Sequence, residues 1–385
     1  MPSVYVAVDL DAIQHNVRQV LGRLGGAKLL AVVKAHAYGH GLAPVAQACV
    51  EAGAAWLGVS AVSEGAILRD AGITAPVLVF LPPLEEECEE IVARELCATV
   101  TRQEHLGWLR DAAEKTGKVS QVQVFLDSGL ARPGAGDDLG EIVRLAGRFP
   151  QQQRLLGIYT HFDCTRGVPV GEPLDIVTPG AQLKVFAASM KAAAKGAGVS
   201  EPLFHAAASA MVCDQPQHAL DMARVGTLLY GQYPGHVRNE PFDLRNTFEL
   251  RAKIIDLSEH PKGTRIGYGG EFVCARKTLV ATLPVGFSHG LGVGPASALS
   301  RPQSCLKEWL RKSRARRGMG PGEAVTVRGE KAMLVGRIAM DQCCADVTDV
   351  AGVQVGDEVV LPVRRLSVNA SVPRVYNREC VAGSR

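Results

Sequence analysis

Short, continuous apolar runs alternate with longer amphipathic stretches through roughly the first 230 residues. The runs are KLLAVV near residue 30, AAWLGVS near 56, PVLVFL near 78, CATV near 98, VQVFL near 123, LLGIYT near 157, PLFHAA near 203 and RVGTLLYG near 227. A strand covered on both faces reads as a continuous apolar run, because neither set of alternating side chains meets water. The stretches between the runs follow helical spacing. In DLDAIQHNVRQVLGRL, Ile13, Val17, Val20, Leu21 and Leu24 fall on one face, and Asp11 stands where it caps the start. Eight such strands with intervening helices predict a parallel (β/α)8 barrel of the TIM type over residues 1–240. An open doubly wound sheet competes, but it needs a glycine-rich phosphate loop after its first strand. KLLAVVKAHAYGHG is not one.

The texture changes near residue 240. FELRAKIIDL, RIGYGGEFV, KTLVATLPVG, AVTVRG, KAMLVGRIAM and DEVVLPV are short, β-branched and separated by Gly or Pro. They predict a second, mostly β domain over residues 241–385. Within it, RPQSCLKEWLRKSRARRGMG at about 301–320 is basic and turn-rich. It reads as a solvated surface insertion, a short amphipathic helix or a loop, ahead of any binding patch.

A chain of 385 residues has room for two buried cores. Its net charge of +3 gives no footprint for nucleic acid or an anionic membrane as partner. The start, MPSVYVAVDL, lacks the basic leader, apolar stretch and cleavage site of a signal peptide. No run approaches the roughly 20 apolar residues that span a bilayer. The ten cysteines lie singly apart from Cys343 and Cys344, and none has CxxC spacing. A cytoplasmic location, reduced thiols and no metal site are therefore expected.

In a barrel of this kind functional side chains stand at the C-terminal ends of the strands, where the loops gather at one mouth. The polar residues there are Lys34, Asp127 with Arg132, His161, His205 with Ser209, and Arg224 with Tyr230. This cationic, hydrogen-bonding set suits an anionic ligand and would serve many phosphate-binding barrels. Lys34 follows LLAVV directly, so a rigid strand aims it into the mouth. A lysine held there loses solvation, which favours the free amine that attacks an aldehyde. On position alone, a phosphate-binding or merely exposed lysine fits as well.

AVVKAHAYGHG at 31–41 resembles the lysine signature of the alanine racemase family, AVVKANAYGHG. The similarity continues in family order along nearly the whole chain. VYVAVDLDAIQHNVRQV resembles the family's opening strand and helix. It is followed by LDSGLARPG at 126–134, THF at 160–162, HAAAS at 205–209, RVGTLLYG at 224–231, IGYGGEF at 266–272, LPVGFSHGL at 283–291 and VGRIAMDQ at 335–342. Any one match is weak, and the ordered set is specific.

The resemblance implies an amino acid racemase that carries pyridoxal 5'-phosphate (PLP) on Lys34 as a Schiff base. It implies interconversion of L- and D-alanine for cell-wall synthesis, with Lys34 and Tyr268 as bases on opposite faces of the substrate. One base takes the proton and the other returns one from behind, which is what racemisation needs. In the family Tyr268's counterpart enters the barrel mouth of the second chain of a head-to-tail homodimer, and Met340 and Asp341 match residues that complete the substrate site from there. Arg224 matches the arginine at the cofactor's pyridine nitrogen, His205 the histidine supporting it, and His161 the one beside the catalytic tyrosine. Tyr38, Ser209, Gly226 and Thr227 match the phosphate contacts, and Arg132 the arginine that positions the substrate carboxylate. Viewed alone, each histidine fits a structural role and Tyr268 fits simple packing.

Departures from the family pattern cluster around the substrate pocket. Phe125 stands where many members have a lysine that becomes carbamylated and braces the arginine. Ala208 replaces an asparagine before the serine, and His36 one after the lysine. Phe287 and His289 replace the tyrosine and aspartate of GYADG. The tail LPVRRLSVNASVPRVY is shorter than the family's, without the tyrosine that contacts the phosphate. Two other functions stay open: racemisation of another small amino acid such as serine, and PLP binding without catalysis. Decarboxylation is disfavoured by an arginine at the pyridine nitrogen.

Overall fold

The computed structural model describes residues 1–128, 133–162, 179–199, 201–235, 237–293 and 323–377. After β1 (Val4–Val8) the chain enters a unit spanning Leu10–Thr247. Its parallel strands are β2 (Lys28–Val32), β3 (Trp56–Val59), β4 (Val77–Val79), β5 (Cys97–Val100), β6 (Ser120–Leu126), β7 (Gln153–Thr160), β8 (Leu203–His205) and β9 (Met222–Val225). They lie in the order β8-β7-β6-β5-β4-β3-β2-β9. A parallel bridge between Ala208 and Arg224, with the Arg224 N–H bonded to the Ala207 carbonyl at 2.9 Å, brings β9 back to β8. The sheet is thus a nearly closed eight-stranded barrel, as the eight apolar runs predict.

Every residue of β3, β4, β5 and β9 is buried, the physical counterpart of runs without alternation. Leu30, Val32, Trp56, Leu78, Cys97, Phe125, Tyr159 and Met222 form one cluster in this unit. The helix Leu10–Leu21 buries Ile13, Val17 and Val20 completely, worth roughly 1.5–3 kcal/mol each. Asp11 stands within its first turn rather than ahead of it, where a carboxylate still meets the positive end of the helix. In RVGTLLYG the strand stops at Val225, and Thr227–Tyr230 turns into a 3₁₀ helix.

The other unit joins Met1–Asp9 to the chain from Phe248 onward. It contains β10 (Phe248–Lys253), β11 (Asp256–His260), β12 (Arg265–Ile266), β13 (Phe272–Val273), β14 (Thr278–Leu283), β15 (Ala324–Val327), β16 (Glu330–Val335), β17 (Cys343–Asp346), β18 (Glu358–Leu361) and β19 (Arg374–Tyr376). Nine strands form one sheet in the order β11-β14-β17-β16-β15-β18-β10-β1-β19, while β12 and β13 pair with each other. The division therefore differs from residues 1–240 and 241–385. β1 pairs antiparallel with β10 from Val4↔Ala252 to Val8↔Phe248, and parallel with β19. Its backbone groups find their partners in the β unit, so the opening strand leaves the barrel half. The basic stretch at 301–320 lies outside the described residues. No helix among the described residues is long and apolar enough to cross a membrane.

Candidate active site

The strand ends place the expected side chains at one end of the barrel. Lys34 stands two residues past β2, Asp127 directly after β6 and His161 directly after β7. His205 ends β8, and Arg224 lies in β9 beside β2, in register with Leu30. Arg132 lies outside the described residues.

After Lys34 the chain makes one turn of left-handed helix. Ala35, His36, Ala37 and Tyr38 have φ of 53°, 56°, 53° and 53°. The turn is closed by Ala37 N–H to the Val33 carbonyl at 2.8 Å and Gly39 N–H to the Ala35 carbonyl at 3.1 Å. For L-residues this conformation costs about 1–2 kcal/mol each, so four non-glycine residues store roughly 4–8 kcal/mol. Strain of this size persists where the surroundings impose it, and it gathers at functional segments. The Lys34 Nζ sits 6.0 Å from the centroid of the Phe80 ring. That ring has room because residue 58 is glycine: a Cβ there would lie 2.4 Å from Phe80 Cζ.

Arg224 is buried, and it meets ring nitrogens and backbone carbonyls. Nη1 donates to His205 Nδ1 at 2.9 Å. Nη2 faces the carbonyls of Thr160 at 2.7 Å and Ala206 at 3.2 Å, and His161 Nδ1 at 3.3 Å. A guanidinium only donates, so His205 Nδ1 accepts and its proton sits on Nε2, which donates to Gln123 Oε1 at 2.7 Å. Burial, and then the Arg224 charge, hold His205 well below the usual histidine range, so it is neutral. Burial lowers Arg224 to about 10, which leaves it charged at neutral pH. The guanidinium lies 5.1 Å from the Tyr159 ring centroid, and His205 stacks on the same ring at 4.8 Å. Tyr159 in turn meets Thr99 Oγ1 at 2.8 Å, and Thr99 donates to the Val79 carbonyl at 2.6 Å.

A pH dependence of stability follows. His105 is also buried, and burial together with Arg102 pushes it down to about 4. The unfolded chain takes up protons on both histidines near pH 6.5, whereas the folded chain refuses them. Stability is then fully present above about pH 6.5 and falls on acidification by roughly 1.4 kcal/mol per pH unit for each histidine. Urea unfolding between pH 8 and 5 is expected to show a plateau followed by this decline; a flat profile to pH 5 would refute the buried neutral state.

A second cluster lies beside Arg224. Ser209 opens the helix Ser209–Asp214, and its Oγ accepts the Gly226 N–H at 3.2 Å. Thr227 opens the 3₁₀ helix that follows. A Cβ at Gly226 would lie 2.5 Å from the Tyr38 hydroxyl, so glycine is what lets that phenol approach the backbone. Tyr38 packs on Tyr230 at 4.6 Å, and Tyr230 donates to the Val32 carbonyl at 3.0 Å. Burial raises the Tyr38 phenol, which keeps it a neutral donor. Two hydroxyls beside a glycine and the start of a helical turn make a cradle for a dianion.

Within the β unit, Tyr268 begins the 3₁₀ turn Tyr268–Gly270 and is 68% exposed. The turn is seated on the strand exit after β16: a Cβ on Gly267 would lie 3.0 Å from the Arg337 nitrogen, and Arg337 pairs with Glu271. Met340 and Asp341 follow on that exit and are exposed. Phe287 N–H bonds to the Ala339 carbonyl at 3.0 Å, and Ser288 to Met340. Tyr268, Met340, Asp341 and the exposed Phe287 thus share one rim of this unit.

The family model for the alanine racemase N-terminal domain matches residues 8–234, and that for the C-terminal domain residues 247–375. The chain belongs to the alanine racemase family. It is 35% identical over 363 residues to alanine racemase 2 of Caldanaerobacter subterraneus subsp. tengcongensis, covering 92% of this chain and 84% of that one. With the alanine racemase of Methanococcus maripaludis it shares 32% over 362 residues, covering 93% and 88%. Among solved structures, the alanine racemase from D-cycloserine-producing Streptomyces lavendulae superposes with a TM-score of 0.80 at 29% identity, covering 98% of each chain.

Against that family pattern, Phe125 is an apolar replacement packed 4.9 Å from Tyr159. Ala208 takes the position before Ser209 with no side chain able to cap the helix. Sequence reasoning missed Gln123, Tyr159 and Glu64. The first two left a faint signal, as polar groups inside the apolar runs VQVFL and LLGIYT. Among the described residues no group of three or more His, Cys, Asp or Glu is arranged to hold a metal ion.

Proposed function

We propose that this protein interconverts L- and D-alanine with pyridoxal 5'-phosphate attached at Lys34. The observation that carries the reading is the pairing of β2 with β9. It sets Lys34 and Tyr38 just past one strand beside Arg224 and Gly226 at the end of the next, and Ser209 joins them from the helix after β8. The residues fit this cofactor: the cradle suits its phosphate, and a permanently charged guanidinium suits an unprotonated ring nitrogen. When bound, the cofactor supplies an electron sink for the charge left at Cα when a proton departs.

The protein's own groups then divide the work. Tyr38, Ser209, Gly226 and Thr227 hold the phosphate. Arg224, kept in place by His205 and His161, adds a positive charge beside the ring nitrogen and disfavours its protonation. Deep electron withdrawal is thereby limited, which favours reprotonation over transamination or decarboxylation. Arg132 binds the substrate carboxylate. Lys34 moves a proton on one face, and Tyr268 of a second copy moves one on the other. Met340 and Asp341 of that copy complete the pocket, so the working form is a homodimer. The exposure of Tyr268 and Met340 on one rim supports this arrangement. The enzyme acts in the cytoplasm and supplies D-alanine for the cell wall.

The test is α-proton exchange in deuterated water, followed by NMR and chiral analysis, on a panel of L-amino acids with added cofactor. Exchange of alanine with appearance of the D-enantiomer is expected. Exchange of serine and not alanine would shift the substrate. Bound cofactor without any exchange would leave a carrier protein. Gly226→Ala is expected to weaken cofactor binding at least about tenfold in absorbance titrations, because a Cβ displaces the Tyr38 hydroxyl. Unchanged affinity would refute the cradle.

A further inference from the structure

A strained turn needs side chains that hold it, and two grip this one from outside. Glu64 is the third residue of the helix Val62–Asp70. Its Oε2 accepts the N–H groups of Ser60 at 2.9 Å and Ala61 at 3.3 Å, the ordinary reach of a carboxylate at this position. Its Oε1 does something a helix cap does not require: it accepts the backbone N–H of His36, in the middle of the left-handed turn, at 3.1 Å. From the other side comes the fully buried His40. Its Nδ1 lies 3.0 Å from the Ala37 carbonyl and 3.2 Å from that of Tyr38, while Nε2 lies 2.9 Å from Thr247 Oγ1. Carbonyls only accept, so Nδ1 carries a proton and donates.

We propose that Glu64 is a positioning residue for Lys34, one carboxylate that caps a helix with one oxygen and locks the left-handed turn with the other. The proposal rests on the reading of Lys34 as the cofactor lysine. Ala35, His36 and Ala37 have no intrinsic reason to stay at positive φ. Without the Glu64 carboxylate on the His36 N–H, the turn relaxes toward right-handed geometry, and Lys34 and Tyr38 shift relative to one another. His40 restrains the carbonyls of Ala37 and Tyr38, and Glu64 restrains the N–H of His36.

Two variants separate positioning from capping. Glu64→Asp is one methylene shorter: it keeps a carboxylate in the first helical turn but falls short of His36. Glu64→Ala removes both functions. Each holoenzyme is examined by cofactor affinity, by kcat and KM, and by the midpoint of the pH titration of the bound cofactor's visible band. Borohydride reduction of the unaltered protein with peptide mapping at Lys34 comes first.

For Glu64→Asp the proposal expects a melting temperature of the cofactor-free protein close to that of the unaltered chain. It also expects cofactor affinity and kcat each to fall about tenfold, with KM much less affected. The band midpoint should move by at least about half a pH unit, because Lys34 has changed surroundings. A lower melting temperature in Glu64→Ala with midpoint, affinity and kcat unchanged in both variants overturns the proposal and leaves a helix cap. No adduct on Lys34 in the unaltered protein overturns the reading beneath it, and the proposal with it.

Discussion

Replacing Lys34 by alanine is expected to lower alanine racemisation by at least about 10⁴-fold and to abolish borohydride-stable labelling by the cofactor, with the fold intact. The size follows from two roles held by one amine. A positioned general base contributes about 10²–10⁴-fold by itself. Loss of the covalent attachment adds to that, because the cofactor is then retained by the cradle and Arg224 alone. The fold should survive because Lys34 is half-buried at the mouth and belongs to no core cluster, so its truncation leaves no cavity. The measurement is exchange at the alanine α-carbon, with intact mass after reduction and a melting curve as controls. Retention of more than about a hundredth of the activity would exclude Lys34 as the base. A labelled residue other than Lys34 would exclude it as the attachment point.

How much of this was legible in the sequence depended on whether the deciding interactions are local. The barrel was legible because burial on both faces leaves a mark in the strand itself, as in VQVFL and CATV. Lys34, His205 and Arg224 were legible because strand ends fix where such side chains point. β1 was not assigned to its sheet, since nothing in VYVAV states that its partners are β10 and β19, far away along the chain. β11 was missed because DLSEH sits at the sheet edge with none of its residues fully buried and no apolar period to read. The left-handed turn was invisible for a sharper reason. Alanine is the best right-handed helix former, so KAHAY argues locally for the opposite hand. His40 bonds the turn's carbonyls from within the same segment, whereas the Glu64 bond to the His36 N–H comes from a distant helix, and such a contact leaves no trace at the position it acts on. The buried relay from Arg224 through His205 to Gln123 was half legible. The resemblance supplied the first two members, and the third required the register between β6 and β8 through β7.

Mixing Lys34→Ala with Tyr268→Phe is expected to restore activity that neither variant has alone. Tyr268→Phe keeps the ring and deletes a hydroxyl that is exposed on the rim of the β unit, so folding should be unaffected. Alone it is expected to lose about 10²–10⁴-fold in racemisation while still exchanging the α-proton of one enantiomer, since Lys34 still works from its own face. In a dimer with sites shared between chains, a mixed pair places both defects in one site and leaves the other intact. Random reassortment makes half of the dimers mixed, with one intact site of two in each, so about a quarter of the unaltered activity should return. Coexpression from two differently tagged genes, followed by tandem purification of the mixed pair, raises the expected figure to about one half. Recovery at either level requires that the tyrosine of one chain serve the lysine of the other. No recovery from a purified mixed dimer would place both bases in a single chain, and the exposed rim bearing Tyr268, Phe287 and Met340 would then need a different role.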